Sequence, residues 1–225
     1  MNAVSLYLLL FAAVAQAAMA QPGETVILVH GLGRTPLSMW PLARTLRRAG
    51  YQVVNLRYPS RHYTVERLSE DYLARAIAAQ THAGATRIHF VTHSLGGIIV
   101  RQYLAQHSMT NLGHVVMLAP PNHGSKLADR LKKTAIGRWI LGPAGCELGT
   151  GATELPERLG APEFSLGVIS AKRDGKVSIP SAKLDGMAGF LVVPGFHTWI
   201  MCSHETSGAT LAFLATGQFG APLSK

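Results

Sequence analysis

Strands that alternate with helices along the chain predict an α/β fold, with a mostly parallel central sheet and helices on both of its faces. Short apolar runs without polar alternation occur at residues 25–30, 88–92 and 166–170, as is typical of strands buried on both faces. Three strand-helix alternations in succession indicate parallel strands that are joined by crossovers. In such sheets, functional groups gather at the carboxyl ends of the strands.

The other elements follow from apolar spacing and from helix-ending residues. A helix at 37–49 ends before Gly50, in the usual C-terminal capping position. A long helix at 64–83 has Leu68, Tyr72 and Ala76 at helical spacing. The remaining predicted elements are the strands 52–56, 114–118 and 190–193 and the helices 98–105 and 205–215.

Length and composition agree with one globular domain. The chain has 225 residues, of which 48% are apolar and 15% charged, enough for a full hydrophobic core. Residues 1–20 combine an apolar run with the small-residue ending Ala18-Met19-Ala20, the pattern of a secretory signal peptide and its cleavage site. We therefore expect an exported protein, periplasmic or secreted, with a mature domain at 21–225. An uncleaved membrane anchor is the alternative, because the segment lacks Lys and Arg.

The segment THSLGG at 92–97 joins a buried strand directly to an apolar helix. Such a sharp turn forces the turning residue, Ser94, into a strained backbone conformation between small neighbours. The Ser94 hydroxyl would then stand above the carboxyl ends of the strands, and the Leu95 amide at the helix start would stabilise an oxyanion. The pattern predicts a nucleophile elbow. In the simpler interpretation, Ser94 only caps the helix.

Two motifs carry a resemblance to a known family. Together, VHGLG at 29–33 and VTHSLGG at 91–97 make the chain resemble the α/β-hydrolases, in particular the small bacterial serine lipases and esterases. The resemblance covers about residues 24–219 and implies the α/β-hydrolase fold. It places the second oxyanion amide on Leu32, whereas His30 is expected to be held by backbone contacts.

The resemblance also assigns the acid and the base of a catalytic triad. Asp174 follows the strand 166–170, where the family carries its acid, although an ordinary Asp-Gly turn would also explain it. His197 lies on the loop after the last strand, so Ser94, Asp174 and His197 occur in the superfamily's order. His204 is the competing histidine, and the weaker candidates for the acid are Asp185, Glu147 and Glu154.

Residues 121–162 form the least regular part of the chain. They contain a basic helical piece at 127–133, then Trp139, Ile140 and Leu141, and then a Gly-rich run. Related lipases place a cap or lid over the site at this point, which makes the segment a candidate cap. The alternative is an insertion on the protein surface, with one or two helices that pack against the domain.

The two cysteines and the histidines have no metal-ligand spacing. In an oxidising compartment Cys146 and Cys202 are expected to pair, the alternative being two unpaired buried thiols. Dinucleotide and phosphate-loop motifs are absent from the sequence. The serine-hydrolase chemistry that the resemblance implies requires neither a metal nor an organic cofactor.

The activity implied by the resemblance is serine-dependent cleavage of carboxylic esters through an acyl-serine intermediate. A small-molecule or lipid ester with an apolar acyl chain is the expected substrate. The formal charge of +9 would attract an anionic membrane surface, whereas no nucleic-acid recognition motif occurs.

Two other activities fit the same fold. One is an acyltransferase, in which an alcohol replaces water. The other is a catalytically inactive binding protein. Only Thr92 favours the latter, because the family usually has Gly there and a branched side chain crowds the elbow.

Overall fold

Six strands form one central sheet in the computed structural model, which describes residues 19–220. The strands are β1 Glu24–Val29, β2 Gln52–Asn55, β3 Arg87–His93, β4 Leu112–Leu118, β5 Leu166–Ala171 and β6 Gly189–Val193. Their order is β2-β1-β3-β4-β5-β6, and every neighbouring pair is parallel. The predicted α/β fold with a parallel sheet is confirmed. Of the expected signal peptide, residues 1–18 lie outside the described residues.

Helices connect the strands and cover both faces of the sheet. They are α1 Trp40–Arg48, α2 Val65–Leu68, α3 Ala74–His82, α4 Leu95–Gln106, α5 Lys126–Leu131, α6 Ala135–Cys146, α7 Leu155–Arg158, α8 Ile179–Ala182 and α9 His204–Thr216. A π-helical turn, Ser69–Leu73, joins α2 to α3, so the helix predicted at 64–83 contains one irregular turn. Short 3-10 segments occur at Pro36–Met39 and His197–Cys202. Across residues 19–220, none of the helices is both long and apolar enough to cross a membrane.

The hydrophobic core consists of two layers, one on each face of the sheet. Ile27 and Phe90 belong to the layer that includes residues of α4. Leu28 and Val91, their neighbours in sequence, belong to the layer that includes residues of α1 and α9. Because successive strand residues point to opposite faces, both faces need apolar side chains. This burial explains why the strands lack polar alternation.

The predicted disulfide is wrong, because both thiols are free. Cys146 ends α6 and is half-buried, two residues before Leu148, which packs in the α4 layer. Cys202 is exposed and follows Met201, which packs in the α1 and α9 layer. The sheet therefore separates the segments that carry the two thiols, and a disulfide needs α-carbons within about 7 Å of each other.

One buried guanidinium holds both ends of the segment 121–162. Arg101 of α4 donates to the carbonyl and side-chain oxygens of Asn122, both at 3.2 Å. It also donates to the Pro156 carbonyl at 3.0 Å and the Gly160 carbonyl at 2.7 Å. Burial lowers the pKa of Arg101 to about 10, but the group stays charged at neutral pH. Arg101 thus ties both the start and the end of the insertion to α4.

We expect the replacement Gly96→Ala to destabilise the protein by about 1–3 kcal/mol, the usual cost of overpacking a buried contact. A Cβ atom at this position would collide with the Val29 carbonyl oxygen, because α4 begins directly against the end of β1. Gly208→Ala in α9 is the matched control, since nothing lies within 4 Å of its added methyl group. The control should gain about 0.5–1 kcal/mol from helix propensity.

The measurement is urea unfolding of both variants beside the wild-type protein. Equal stability of Gly96→Ala and the wild type would contradict the close packing of α4 on β1.

Candidate active site

Ser94 adopts a strained backbone conformation between the last residue of β3 and the first residue of α4. Its φ is 51° and its ψ is −121°, a combination that costs a non-glycine residue about 1–3 kcal/mol. Its amide donates to the Leu118 carbonyl of β4 at 2.9 Å, which ties the turn to the neighbouring strand. The sharp strand-to-helix turn predicted from THSLGG is thus present at the carboxyl edge of the sheet.

The absence of a side chain at Gly31 allows the loop after β1 to pass close to Ser94. A Cβ atom at Gly31 would lie 2.8 Å from His93 Nδ1 and 3.2 Å from Ser94 Cβ. The HGLG loop after β1 therefore runs directly beside the elbow, and Leu32 lines the same cavity as Ser94. Leu95 is the first residue of α4, where an amide has no acceptor within its own helix. The Leu32 amide thus belongs to the loop after β1 and the Leu95 amide to the start of α4, and both segments lie beside Ser94.

Thr92 is accommodated without displacing the elbow. The residue is fully buried, and its Oγ1 atom would lie 3.3 Å from a Cβ atom at Gly97. Because Gly97 has no side chain, the branched side chain of Thr92 occupies the space in front of it. With Thr92 in place, Ser94 adopts the strained conformation of the turn, with a φ of 51°.

Asp174 and His197 form a buried hydrogen-bonded pair. The His197 Nδ1 atom lies 2.7 Å from Asp174 Oδ2, with side chains 6% and 2% exposed, respectively. The other carboxylate oxygen of Asp174 accepts the amides of Lys176 and Val177, each at 2.8 Å. Two amide donors hold the carboxylate in place, and the carboxylate in turn favours the tautomer with its proton on Nδ1. His197 Nε2 is then left as a proton acceptor.

Ser94 and His197 line one cavity of about 250 Å³. No hydrogen bond within the described part of the chain joins the Ser94 hydroxyl to the His197 ring. Such catalytic hydrogen bonds are often long before substrate binds and shorten in the complex. Of the sequence-predicted site residues, Leu32, Ser94 and His197 line the cavity, Leu95 lies directly beside Ser94, and Asp174 lies behind the histidine.

The alternative triad residues lie elsewhere. His204 is exposed at the first position of α9, and Asp185 is also exposed. The Glu147 carboxylate accepts the Val65 amide at 2.8 Å, and Glu154 forms an ion pair with Lys132. None of these four candidates lines the cavity that contains Ser94 and His197.

His93 contacts the loop that carries His197, and the sequence did not reveal this contact. Its Nε2 atom lies 2.9 Å from the His197 carbonyl oxygen, and the two rings are 4.9 Å apart. Burial and, to a smaller extent, the neighbouring His197 lower the pKa of His93 well below its ordinary value. The neutral ring therefore donates from Nε2 and holds the backbone of His197. Nothing in the local sequence indicates a partner 104 residues away.

His30 agrees with its expected role as a structural loop residue. Its Nδ1 atom lies 3.0 Å from the Gly31 carbonyl oxygen, and its ring stacks on Tyr58 at 4.1 Å. The Tyr58 hydroxyl donates to the His30 carbonyl. These contacts hold the start of the HGLG loop against the segment after β2.

The insertion 121–162 supplies most of the apolar wall of the cavity. The lining residues from this segment include Leu127, Leu131, Ile140, Leu141 and Leu148. Trp139 is 77% exposed and does not line the cavity, whereas Leu141, two residues later, is 5% exposed and lines it. The α6 helix is kinked at Gly142, where a Cβ atom would collide with the Arg61 carbonyl oxygen. The insertion therefore packs against the loop after β2 and covers one side of the cavity.

No cluster of three or more metal-ligating side chains occurs among residues 19–220. A parallel sheet with a strained serine at its carboxyl edge is the arrangement of the α/β-hydrolases.

Comparisons with known proteins define the family. The sequence profile of the alpha/beta hydrolase family matches residues 26–207, and the chain belongs to this family. A comparison with curated protein sequences gives no match.

Solved structures of several lipases share the fold. A mature Bacillus licheniformis lipase is 17% identical, with a TM-score of 0.65 over 80% of this chain and 88% of that one. A Paleococcus ferrophilus monoacylglycerol lipase is 19% identical, with a TM-score of 0.58 over 85% and 94%. The Legionella pneumophila phospholipase PlaB is 19% identical, with a TM-score of 0.65 over 86% of this chain but only 59% of its own length. At these identities the likeness establishes the fold alone.

We expect the free energy of unfolding to decrease as the pH falls below about 6.5, in part because His93 is buried in its neutral form. Its lowered pKa means that the unfolded chain binds more protons than the folded chain in this range, so acid favours unfolding. The variant His93→Gln has no titratable group at this position. Its loss of stability between about pH 6.5 and 4.5 should therefore be smaller than that of the wild type.

Urea unfolding at a series of pH values measures this slope. The exposed His82→Gln is the control and should keep the wild-type slope. A His93→Gln variant with an unchanged slope would show that His93 makes no contribution to it.

Proposed function

We propose that this protein is a serine hydrolase that cleaves carboxylic esters through an acyl-serine intermediate. In this proposal Ser94 is the nucleophile, His197 the general base, and Asp174 the acid that orients the histidine. One observation carries the proposal: the buried 2.7 Å bond between His197 and Asp174 lies beside a cavity that also contains the strained Ser94. The lipase structures that share the fold support it.

In the first half of the reaction, the Ser94 oxygen attacks the ester carbonyl carbon, and its proton passes to His197 Nε2. Asp174 stabilises the imidazolium that forms. The amides of Leu32 and Leu95 stabilise the negative charge on the former carbonyl oxygen, and each such donor typically lowers the barrier by about 3 kcal/mol. The carbon–oxygen bond to the alcohol then breaks, and the imidazolium gives its proton to the departing alcohol.

In the second half, a water molecule attacks the acyl-serine. His197 takes the proton of the water and returns it to the Ser94 oxygen as the acyl bond breaks. The products are a carboxylic acid and the regenerated serine. His93 contributes indirectly, because its hydrogen bond to the His197 carbonyl holds the loop that carries the base.

The substrate that we propose is a small-molecule or lipid ester with an apolar acyl chain. Leucine and isoleucine side chains of the insertion line the cavity beside Ser94, which supports an apolar acyl group there. Ile136 and Trp139 of α6 are 73% and 77% exposed on the same insertion. Together with the formal charge of +9, they support contact with an anionic lipid surface.

We expect Ser94→Ala and His197→Ala each to lower turnover by several orders of magnitude, and the double variant to lose little more, because the groups act as one unit. Asp174→Asn should be about 10⁴-fold slower, since an amide favours the wrong tautomer of His197. The measurement is steady-state hydrolysis of esters with graded acyl length, with thermal melts to confirm folding.

His204→Ala is the control and should stay within about tenfold of wild-type turnover, because removing an exposed histidine takes no group from the triad. Covalent labelling of Ser94 by a fluorophosphonate tests the nucleophile independently. A folded His197→Ala variant with near wild-type turnover would overturn the assignment of the base.

We further propose that the protein is exported to the periplasm or beyond, and that its mature chain begins near Gln21. Signal peptidases need small residues before the cleaved bond, so Ala18→Leu with Ala20→Leu should prevent cleavage. The intact mass of protein from a host periplasm distinguishes the two forms. A wild-type chain that retains Met1 would contradict the proposal.

A further inference from the structure

Three cations and no carboxylate line the cavity that contains Ser94. The cations are Arg34, Arg61 and Lys176. The Asp174 carboxylate behind His197 is 2% exposed and bonded to His197 and to two amides, and it does not line the cavity. The surroundings of the nucleophile therefore carry an excess of positive charge.

The three cations come from three separate loops. Arg34 follows the HGLG loop after β1, Arg61 lies in the loop after β2, and Lys176 lies in the loop after β5. Nothing in the local sequence around any one of them suggests a cluster. The parallel sheet places the loops together because all three follow the carboxyl ends of strands.

The backbone that carries these cations is held in place by defined contacts. The Lys176 amide donates to Asp174, and its carbonyl accepts the Ser125 hydroxyl at 2.7 Å. The Arg34 amide donates to the Gly31 carbonyl at 3.2 Å, and the Arg34 guanidinium lies 5.9 Å from the centre of the Trp199 ring. Gly142 of the insertion packs against the Arg61 carbonyl. The cations thus project from ordered loops.

None of the three forms an ion pair within residues 19–220. Other basic residues of the chain do, such as Arg67 with Asp71 and Lys132 with Asp129 and Glu154. Cations without ion-pair partners that line one cavity with apolar walls create a field that attracts anionic ligands. Guanidinium groups also match the geometry of phosphate oxygens.

We propose that the enzyme selects acyl esters whose alcohol part carries a phosphate group, and that Arg34, Arg61 and Lys176 bind this phosphate. This inference rests on the proposed function, since it concerns the substrate of the same site. The apolar acyl chain lies against Leu127, Ile140 and Leu148, and the charged alcohol lies toward the loops with the cations. The phosphate takes no part in bond breaking, so the cations act on binding and specificity.

The test compares two soluble esters with the same scissile bond. Hexanoyl glycerol phosphate carries the phosphate, and monohexanoyl glycerol is its neutral counterpart. With the wild-type protein, kcat/KM should be about tenfold higher for the phosphate ester, because three exposed charge contacts are each worth a few-fold. This ratio should decrease with added salt, mainly through KM.

The variants replace the cations by the shorter, neutral and polar side chain of glutamine. Arg34→Gln, Arg61→Gln and Lys176→Gln should each reduce the ratio, and the triple variant should bring it close to unity. The matched control removes the same charge far from the cavity, with Arg48→Gln, Arg75→Gln and Lys183→Gln combined. It should keep the wild-type ratio, and thermal melts verify folding of both triple variants.

A second pair of esters tests where the negative charge is recognised. A nitrophenyl ester of glutaric acid carries its free carboxylate on the acyl part and is compared with nitrophenyl butyrate. A preference for the acyl carboxylate without one for the phosphate would overturn the inference. So would a phosphate preference that appears only when the ester aggregates or is presented in vesicles, because the charge would then act through a lipid surface.

Failure of the inference is distinguishable from failure of the proposed function. If fluorophosphonate labels Ser94 and both hexanoyl esters are cleaved equally well, esterase activity stands and the phosphate preference is wrong. If Ser94 is not labelled and neither ester is cleaved, the proposed function itself fails.

Discussion

The positive φ angle of Ser94 is the constraint on which the rest of the site depends. It is compatible with the fold because small residues surround it: Gly31 faces Ser94, Gly96 faces the end of β1, and Gly97 leaves space for Thr92. Its strain is offset by the parallel pairing of β3 with β1 and β4, which buries the strand on both faces. A side chain at Gly31 or Gly96 would push apart the loop and the helix whose amides adjoin Ser94.

Loops from distant parts of the chain meet at this edge because every strand of the sheet runs in the same direction. The Asp174 and His197 loops follow β5 and β6, and they are joined by the bond between the two side chains. His93 links the His197 loop to the elbow, and Arg101 anchors both ends of the insertion to α4. Each of these buried side chains forms at least one hydrogen bond to a separate segment, which limits the movement of the loops. The cavity therefore has a defined shape.

Charge adds a second level of organisation. The overall excess of cations predicts attraction to anionic surfaces, but it does not indicate which part of the protein surface attracts them. In the folded chain, Arg34, Arg61 and Lys176 line the same cavity as Ser94, while Lys132 and Arg67 are paired with carboxylates. Position, more than net charge, decides which cations are available to a ligand.

The sequence by itself determined the parallel α/β fold, the elbow at Ser94 and the order of Ser94, Asp174 and His197, because these depend on local apolar runs, turn residues and chain order. Tertiary structure alone decided that Asp174 and not Glu147 contacts His197, that His93 bonds to a carbonyl far along the chain, and that Cys146 and Cys202 stay apart. The physical reason is that these contacts join residues on different loops or on opposite faces of the sheet. Their distances are set by packing, which local patterns do not encode.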